Sequence, residues 1–355
     1  MSAPIVLGAG PAGSAAAALL ARGGARPTLI DRSETVGDAI CGGFLSWRTA
    51  QSLRELACDP ATLGAHRVTR LRLYAGEHMA EAALPAPGFG LSRRALDTAL
   101  RDRAVAAGTR LEIDRARSIA PGRIEGERQG WTSPAIFLAT GKHDVRGHAR
   151  PREAADPALG LRIRVLGSPA LAALIDDAIE LHMFPGGYAG IVLQEDGSAN
   201  ICLALRKSAL ADAGGDPWSL LERLAGDHPQ FARRFAPATQ DLPIDTIGAV
   251  PYGWIAQDTE DGLYRLGDQA AVIPSLAGEG MAIALASARD AARAFLAGEN
   301  AESYQQRFAR RAARPVRTAQ ALWHLGENPL AAGAMAMVAK RLPALARLAM
   351  RLSRI

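Results

Sequence analysis

The sequence predicts an α/β (α+β) fold, in which a Rossmann-like nucleotide-binding domain carries an inserted antiparallel-sheet domain and a C-terminal helical tail. The first segment, "IVLGAGPAGSAAAALLARGG", runs from an apolar strand through glycines into an alanine-rich helix. Apolar and polar residues alternate in "VTRLRLYAG", and strand-like segments follow one another from about residue 160 to 205. From residue 301 onward the chain is predicted to be helical.

Three glycines, Gly8, Gly10 and Gly13, predict a nucleotide-binding turn between the first strand and the first helix. The first permits a tight turn, the second lets the backbone approach a pyrophosphate, and the third allows the helix to pack closely on the strand. The N–H groups at the start of the helix are free to bind the anion. A second strand, "RPTLIDR", contains Asp31, which is spaced to accept hydrogen bonds from both hydroxyls of an adenosine ribose. Because this carboxylate would repel a 2′-phosphate, the pattern favours FAD or NAD over NADP.

Composition and cysteine content exclude several other classes of protein. The 355 residues are 48% hydrophobic, which is typical of a globular protein with a large core. The cysteines Cys41, Cys58 and Cys202 lie far apart and indicate neither a disulfide framework nor a metal site. The first strand begins almost at the N-terminus and no uncharged stretch reaches about 18 residues, so we expect no signal peptide and no membrane span. We therefore expect a cytoplasmic location.

Positive charge is concentrated in the C-terminal tail. The formal net charge is +5, yet from Arg307 onward there are 10 Lys or Arg residues and only one acidic residue. Nucleic acid is not an expected partner, because the tail lacks interleaved aromatic residues and no binding motif is present. On a helical wheel, leucines and a terminal isoleucine fall on one side and arginines on the other: Leu345, Leu348, Leu352 and Ile355 against Arg347, Arg351 and Arg354. This pattern predicts peripheral contact with the inner membrane face; packing of the apolar side on the rest of the fold is the alternative.

A second glycine-rich region distinguishes between FAD and NAD. The strand in "YRLGDQA" delivers Gly267 and Asp268, which can aim a carboxylate and a backbone N–H at a ribityl chain. In "LAGEGM", Gly278 and Gly280 begin a helix whose N-terminal amides can face an electron-rich ring. Because a reduced flavin carries negative charge near N1 and O2, this arrangement indicates FAD.

Together these segments resemble the flavoprotein monooxygenase superfamily built on the p-hydroxybenzoate hydroxylase fold, and within it the geranylgeranyl reductase-like branch. The resemblance covers most of the chain, from residue 4 to about 296. "CGGFLS" is similar to that branch's cysteine–glycine segment beside the flavin, and Arg93 in "SRRALD" matches the arginine that reaches the cofactor. "MFPGGYAGI" is similar to its aromatic-x-F-P strand, and Pro274 is the proline of its second FAD motif.

The fingerprints and the resemblance together imply a set of site residues. FAD is expected to be held by Gly8, Gly10, Pro11, Ala12, Gly13, Asp31, Arg32, Cys41, Gly42, Gly43, Arg93, Gly267, Asp268, Pro274, Gly278, Gly280 and Met281. The substrate pocket is expected to include Phe44, His182, Phe184, Pro185 and Tyr188. Cys41 is also the candidate for catalytic contact, and no metal site is expected. The implied domains are FAD-binding (1–65, 88–150 and 245–300), substrate-binding (66–87 and 151–244) and C-terminal helical (301–355).

The sequence departs from the superfamily pattern at two places. The middle motif ordinarily contains G-A-D-G, whereas this chain has "ATGKHDVRG", where Asp144 is displaced in register as the substitute for the usual aspartate. Aromatic hydroxylases usually continue the second motif as G-D-A-A-H, whereas Val272 follows Ala271 here. The missing histidine argues against an ordinary aromatic hydroxylase.

The resemblance therefore implies an FAD-dependent oxidoreductase with an apolar substrate. The favoured reaction is reduction of C=C bonds in a lipid or isoprenoid-like molecule by reduced flavin. The alternative is an NAD(P)H- and O₂-dependent monooxygenase that hydroxylates an aromatic or polyketide-like substrate, and a non-catalytic FAD-binding scaffold is a remote third possibility. No second Rossmann motif is present, so NAD(P)H is expected to bind transiently as the reductant.

Overall fold

The computed structural model describes residues 3–151 and 154–355, and a five-stranded parallel sheet forms the predicted Rossmann-like part. The strands of this sheet are β1 (Ile5–Leu7), β2 (Thr28–Asp31), β6 (Arg110–Ile113), β10 (Ile136–Leu138) and β16 (Leu263–Arg265). They lie side by side in the order β16-β10-β1-β2-β6. β1, at the centre, is buried on both faces, as its uninterrupted apolar sequence predicts.

Alternating side chains of the parallel sheet face two different layers. Val6 and Phe137 pack against helices, which are α1 (Pro11–Arg22), α3 (Arg93–Ala106) and α8 (Gly280–Leu296). Ile5 and Leu138 pack on the opposite side, against a small antiparallel sheet. Its strands are β7 (Ala116–Ala120), β8 (Arg123–Gly126) and β9 (Gly130–Thr132). The parallel sheet is therefore sandwiched between helices and a second sheet.

An eight-stranded sheet forms the second part of the protein. Its strands are β3 (Phe44–Leu45), β4 (His66–Ala75), β5 (His78–Gly90), β11 (Ala158–Val165), β12 (Ala178–Phe184), β13 (Gly187–Leu193), β14 (Ala199–Arg206) and β15 (Ile244–Val250). The order is β15-β11-β14-β13-β12-β4-β5-β3. Neighbouring strands are antiparallel except β4 and β12, which pair in parallel and join the N-terminal hairpin to the later meander.

The two faces of the eight-stranded sheet have different coverings. One face packs on short helices through Ile163, Phe184 and Ile191: α4 (Pro169–Ile175), α6 (Pro217–Asp227) and α7 (Pro229–Phe235). The other face carries Leu73, Met183 and Tyr188 and turns towards the parallel sheet and the C-terminal helices. Two further helices, α2 (Trp47–Glu55) and α5 (Lys207–Ala211), lie at the ends of the strands.

Three helices complete the chain, as predicted: α9 (Ala301–Glu327), α10 (Pro329–Arg341) and α11 (Pro343–Leu352). The first half of α9 buries Tyr304 and Phe308 in the core of the parallel-sheet domain. α10 and α11 pack on β5 of the other sheet, so the tail bridges both parts of the molecule. Within the described residues, no helix has the length and apolarity needed to cross a membrane.

One boundary of the predicted domains divides an observed strand. β15 (Ile244–Val250) pairs with β11 at the edge of the eight-stranded sheet, whereas the predicted FAD-binding part begins at residue 245. The division of the chain into domains remains a prediction, and β15 indicates that the substrate part extends to about residue 250.

Replacing Gly13 with alanine is expected to destabilise the fold. A Cβ atom at this position would lie 1.8 Å from the carbonyl oxygen of Gly8, so α1 would have to move away from the sheet. Overpacking of this kind costs about 1–3 kcal/mol or more of unfolding free energy, measurable by urea denaturation. Gly226→Ala in α6 is the control, because nothing lies within 4 Å of its Cβ position. Alanine is the better helix former, so this variant is expected to be as stable as the wild type or more so. Equal stability of both variants would contradict the close approach.

Candidate functional site

A continuous cavity lies between the parallel sheet, the eight-stranded sheet and the C-terminal helices. Its volume is about 1570 Å³, whereas a pocket for one small ligand measures about 300–1,000 Å³. The wall contains these predicted residues: Gly8, Gly10, Pro11, Ala12, Asp31, Arg32, Cys41, Gly42, Phe44, Arg93, Tyr188, Gly267, Asp268, Gly278, Gly280 and Met281. The cavity therefore has room for a large cofactor and a substrate together.

The first glycine turn has the geometry of a phosphate-binding loop. Gly8 has φ +100°, and a Cβ on it would lie 2.5 Å from the carbonyl oxygen of Ala139, so only glycine fits without strain. A Cβ at Gly10 would face the open cavity, with Arg93 Nη2 at 3.6 Å as its nearest neighbour. α1 begins at Pro11 with no side-chain cap on its free N–H groups. A pyrophosphate would satisfy these groups, so this end fits the diphosphate of FAD.

Asp31 connects the end of β2 to this loop. Its carboxylate accepts hydrogen bonds from the backbone N–H of Ala9 at 2.7 Å and of Ser33 at 2.9 Å. Arg101 Nη2 lies 3.3 Å from the same carboxylate. A carboxylate has about four lone-pair sites, so these two hydrogen bonds leave room for the ribose hydroxyls. The contact between Asp31 and the adenosine ribose remains a prediction.

The second motif brings Gly267 and Asp268 to the cavity at the end of β16. The N–H of Gly267 donates to Ser287 Oγ at 2.8 Å and is already occupied. Asp268 lines the cavity, where its carboxylate can reach a ribityl chain. α8 begins at Gly280, again without a side-chain cap. Its N-terminal amides therefore border the cavity, as the sequence predicts.

Asp144, the predicted substitute in the middle motif, organises the second motif. It accepts a hydrogen bond from Arg150 Nε at 2.7 Å, and Arg150 Nη1 donates to the backbone oxygen of Asp268 at 3.0 Å. Gln269 of the second motif also contacts the middle motif, because its Nε2 donates to the carbonyl oxygen of Gly141 at 2.9 Å. The displaced aspartate thus holds two loops of the cofactor end together.

Several predicted residues lie behind the cavity wall rather than in it. Of the described residues assigned to the cofactor, Gly13 packs on Gly8, Gly43 lies against Gln194, and Pro274 is buried. Gly13 was predicted to serve helix packing, and its geometry agrees with that role.

The prediction that His182, Phe184 and Pro185 line the substrate pocket is wrong. Successive side chains of a strand point to opposite faces, so Leu181 and Met183 line the cavity while His182 and Phe184 face away from it. Pro185 lies exposed in the following turn.

His182 belongs instead to a buried polar cluster on the opposite side of the sheet. Its Nε2 lies 3.1 Å from Glu180 Oε2, and Glu180 Oε1 accepts from Arg72 and Arg234 at 2.6 and 2.7 Å. Burial alone would raise the pKa of Glu180, but His182 and Arg234 lower it to about 2. Burial lowers the pKa of His182, which keeps the ring neutral at neutral pH. This cluster is a structural ion network.

The C-terminal helices contribute residues that sequence reasoning did not assign to the site. The cavity wall includes Met335 and Val338 of α10 and Leu345, Ala346 and Ala349 of α11. Cys202 of β14 also lines the cavity. The apolar face of the tail indicated contact with either a membrane or the rest of the fold. The sequence did not show which part of the fold this face would contact.

The position of Arg354 differs from the helical-wheel prediction, which put it on the basic side of the tail. It is 8% exposed, and its Nη1 lies 3.0 Å from the fully buried carboxylate of Glu279. The same guanidinium donates to the backbone oxygen of Ala277 and lies 4.8 Å from the Trp47 ring centroid. The end of the chain is therefore fastened to the loop that begins α8.

Comparison with known proteins agrees with the cofactor end of the cavity. Residues 2–123 match the protein family described as "FAD binding domain". A digeranylgeranylglycerophospholipid reductase of Methanopyrus kandleri is 29% identical over 316 residues, which cover 80% of this chain and 74% of that protein. The protein is an FAD-dependent oxidoreductase. The resemblance to the flavoprotein monooxygenase superfamily and its geranylgeranyl reductase-like branch is confirmed.

One further relative matches about a third of the chain, and two solved structures match its fold. A menaquinone reductase of Mycobacterium tuberculosis is 35% identical over 123 residues, which cover 33% of this chain and 29% of that protein. A geranylgeranyl bacteriochlorophyll reductase-like structure from Thermoplasma acidophilum aligns with TM-score 0.70 and 19% identity over 99% of both chains. PqsL of P. aeruginosa, solved with 2-aminobenzoylacetate, aligns with TM-score 0.73 and 16% identity over 94% of this chain and 98% of that one. These two structures establish the fold of the oxidoreductase.

Removing either cavity carboxylate is expected to weaken FAD binding. A charge-assisted hydrogen bond contributes about 1.5–3 kcal/mol, so Asp31→Ala and Asp268→Ala should each lower FAD affinity about tenfold or more. Equilibrium titration of apoprotein with FAD measures the effect. Asp102→Ala is the control, because Asp102 is exposed on α3 of the same domain. Unchanged affinity in both cavity variants would contradict the assignment.

Thiol modification is expected to occur first at Cys41. Burial raises the pKa of Cys58, and burial also raises the pKa of Cys202 to about 12, so both remain protonated thiols at neutral pH. Labelling followed by peptide mass spectrometry should therefore identify Cys41, with loss of activity and with protection by bound substrate. Cys41→Ser should retain FAD, because the predicted contacts of this segment run through the backbone. A fully active enzyme labelled at Cys41 would contradict its position in the site.

Proposed function

We propose that this oxidoreductase reduces carbon–carbon double bonds of a lipid or isoprenoid-like substrate with electrons carried by FAD. The observation that carries this proposal is the continuity of the cavity, which joins a nucleotide-binding end to an apolar end. The relatives that match most of the chain support it, because they are named as reductases of geranylgeranyl lipids. A relative that matches a third of the chain is named as a menaquinone reductase.

The cofactor end supplies the groups that FAD requires. The first turn of α1 and Gly10 would bind the pyrophosphate, Asp31 the adenosine ribose, and Asp268 the ribityl chain. The start of α8 would lie beside the flavin ring, where its positive end stabilises the negative charge of the reduced form. Arg93 is held against this region by Asp97, with Nη2 2.6 Å from the carboxylate. FAD supplies the hydride, while these residues bind and orient it.

The remainder of the cavity favours an apolar substrate. Leu71, Leu73, Leu181 and Met183 come from the sheet, and Met335, Val338 and Leu345 come from the tail. Burying alkyl groups against such a wall contributes about 25 cal/mol per Å² of apolar surface, so a long hydrocarbon chain binds without charged contacts. We also propose that NAD(P)H reduces the flavin by binding transiently.

Isotope labelling separates reduction from hydroxylation. Turnover under heavy-isotope O₂ should give a product that has gained two hydrogen atoms and no labelled oxygen, as measured by mass spectrometry. The superfamily alternative, a monooxygenase, predicts one labelled oxygen atom in the product. That outcome would contradict the proposed reduction while leaving the FAD site intact.

We further propose that α10 and α11 contact an anionic membrane surface. These helices expose the apolar residues Leu330, Met337, Val338, Leu342, Leu345 and Leu348. They also expose all four of their basic residues: Lys340, Arg341, Arg347 and Arg351. Because Val338 and Leu345 also line the cavity, the contact surface adjoins the substrate space. A lipid could then enter from the bilayer without crossing water.

Charge reversal on α11 tests the membrane contact. Each Lys or Arg near an anionic surface contributes about 1 kcal/mol, so Arg347→Glu/Arg351→Glu should weaken co-sedimentation with phosphatidylserine-containing vesicles more than about tenfold. Arg314→Glu/Arg317→Glu makes the same charge change at exposed positions of α9 and should bind like the wild type. Equal weakening by both pairs would indicate a nonspecific charge effect and contradict the proposed surface.

A further inference from the structure

Three hydroxyl groups form a hydrogen-bonded chain in the wall of the cavity. The Tyr188 hydroxyl donates to Ser275 Oγ at 2.8 Å, and the Tyr252 hydroxyl lies 2.8 Å from the same oxygen. Tyr188 comes from β13, Tyr252 follows β15, and Ser275 precedes the loop that begins α8. All three line the cavity. We call this group the hydroxyl chain.

The two phenol rings are fixed by the indole of Trp323 on α9. The ring centroids of Tyr188 and Trp323 are 5.8 Å apart, and those of Tyr252 and Trp323 are 5.6 Å apart, both in edge-to-face arrangements. Trp323 is itself held in the core, at 3% exposure. Edge-to-face pairs of this kind restrict ring rotation and are favourable for aromatic groups. The hydroxyl chain is therefore preorganised by packing.

One O–H group of the hydroxyl chain has no acceptor among the other two hydroxyls. Three hydroxyls provide three donors, and the two hydrogen bonds among them use two. The third donor belongs to Tyr252 or Ser275, depending on which of them donates to the other. Either way the unused O–H belongs to a residue of the cavity wall.

Apolar side chains surround the hydroxyl chain, so a bound apolar substrate would exclude water from the spare donor without replacing its hydrogen bond. Leu73, Met183, Leu181 and Leu276 belong to the same packed cluster as the two tyrosines. Burial raises the pKa of both phenols above the ordinary value, so they remain protonated donors at neutral pH. Once water is excluded, this donor favours a ligand that brings an acceptor by the value of one net hydrogen bond.

We propose that the hydroxyl chain of Tyr188, Ser275 and Tyr252 binds an oxygen acceptor of the substrate through its spare O–H group and so orients the substrate in the cavity. This inference rests on the proposed function and assigns a polar subsite to it. Ser275 lies at the start of the segment that leads to Gly278 and Gly280, so the bound oxygen would lie next to the flavin end of the cavity. The hydroxyl chain thereby selects against pure hydrocarbons of equal length.

Two matched probes test the subsite without catalytic turnover. Geranyl methyl ether carries an acceptor oxygen, and the hydrocarbon with a methylene group in its place does not. Isothermal titration of the FAD holoenzyme should show tighter binding of the ether by about two- to tenfold, the value of one net hydrogen bond. The triple variant Tyr188→Phe/Ser275→Ala/Tyr252→Phe should bind both probes equally, with the hydrocarbon affinity unchanged.

Two single variants serve as controls. Ser275→Ala leaves both phenols with free donors, so the preference for the ether should persist. Tyr74→Phe removes a hydroxyl of β4 that pairs with Arg234 in the ion network, and it should also keep the preference. Equal binding of the two probes by the wild type, or a preference that survives in the triple variant, would overturn the subsite alone. Binding of neither probe would contradict the apolar substrate and the subsite together.

Discussion

The close contact between α1 and β1 is the constraint on which the site depends. Gly13 has no side chain, and this lets α1 pack very closely on the turn after β1. A Cβ atom on Gly13 would lie only 1.8 Å from the carbonyl oxygen of Gly8. That approach points the uncapped N-terminus of α1 at the cavity, beside the ends of β2 and β16. Asp31, Gly10 and Asp268 all line the same cavity because the parallel strands end at the same edge of their sheet. A larger residue at position 13 would force α1 away from β1 and so move its N-terminus relative to the cavity.

The second half of the site comes from elements that are remote in sequence. The eight-stranded sheet supplies one apolar wall, and α10 and α11 supply another. The buried ion pair of Arg354 and Glu279 then fastens the end of the chain to the loop before α8. Removing one partner of such a pair leaves an uncompensated buried charge, which costs about 3–5 kcal/mol. The tail thus closes the cavity and is also the surface that we propose to face a membrane.

Local sequence patterns predicted the parts of the molecule that local chemistry determines. The glycine turn, the position of Asp31 and the succession of strands from about residue 160 to 205 follow from short-range rules of spacing and alternation. Residues whose role depends on the pairing of distant strands are harder to predict from sequence. His182 and Met183 are adjacent in sequence but face opposite sides of the sheet, and only the register of β12 decides which side is the cavity. Arg354 has the sequence context of an exposed residue, and nothing local indicates that its partner is Glu279. The hydroxyl chain joins residues that are 87 and 23 positions apart, a distance that single-sequence patterns do not reach.

The central claim is that one cavity holds flavin and an apolar alkene so that electrons pass directly between them. The most direct measurement is an anaerobic single turnover, in which photoreduced holoenzyme is mixed with a geranylgeranyl lipid in a stopped-flow spectrometer. The account predicts that the absorbance of oxidised flavin returns in step with loss of a double bond, without any oxygen. Flavin that stays reduced until oxygen is admitted, with the lipid unchanged, would contradict it.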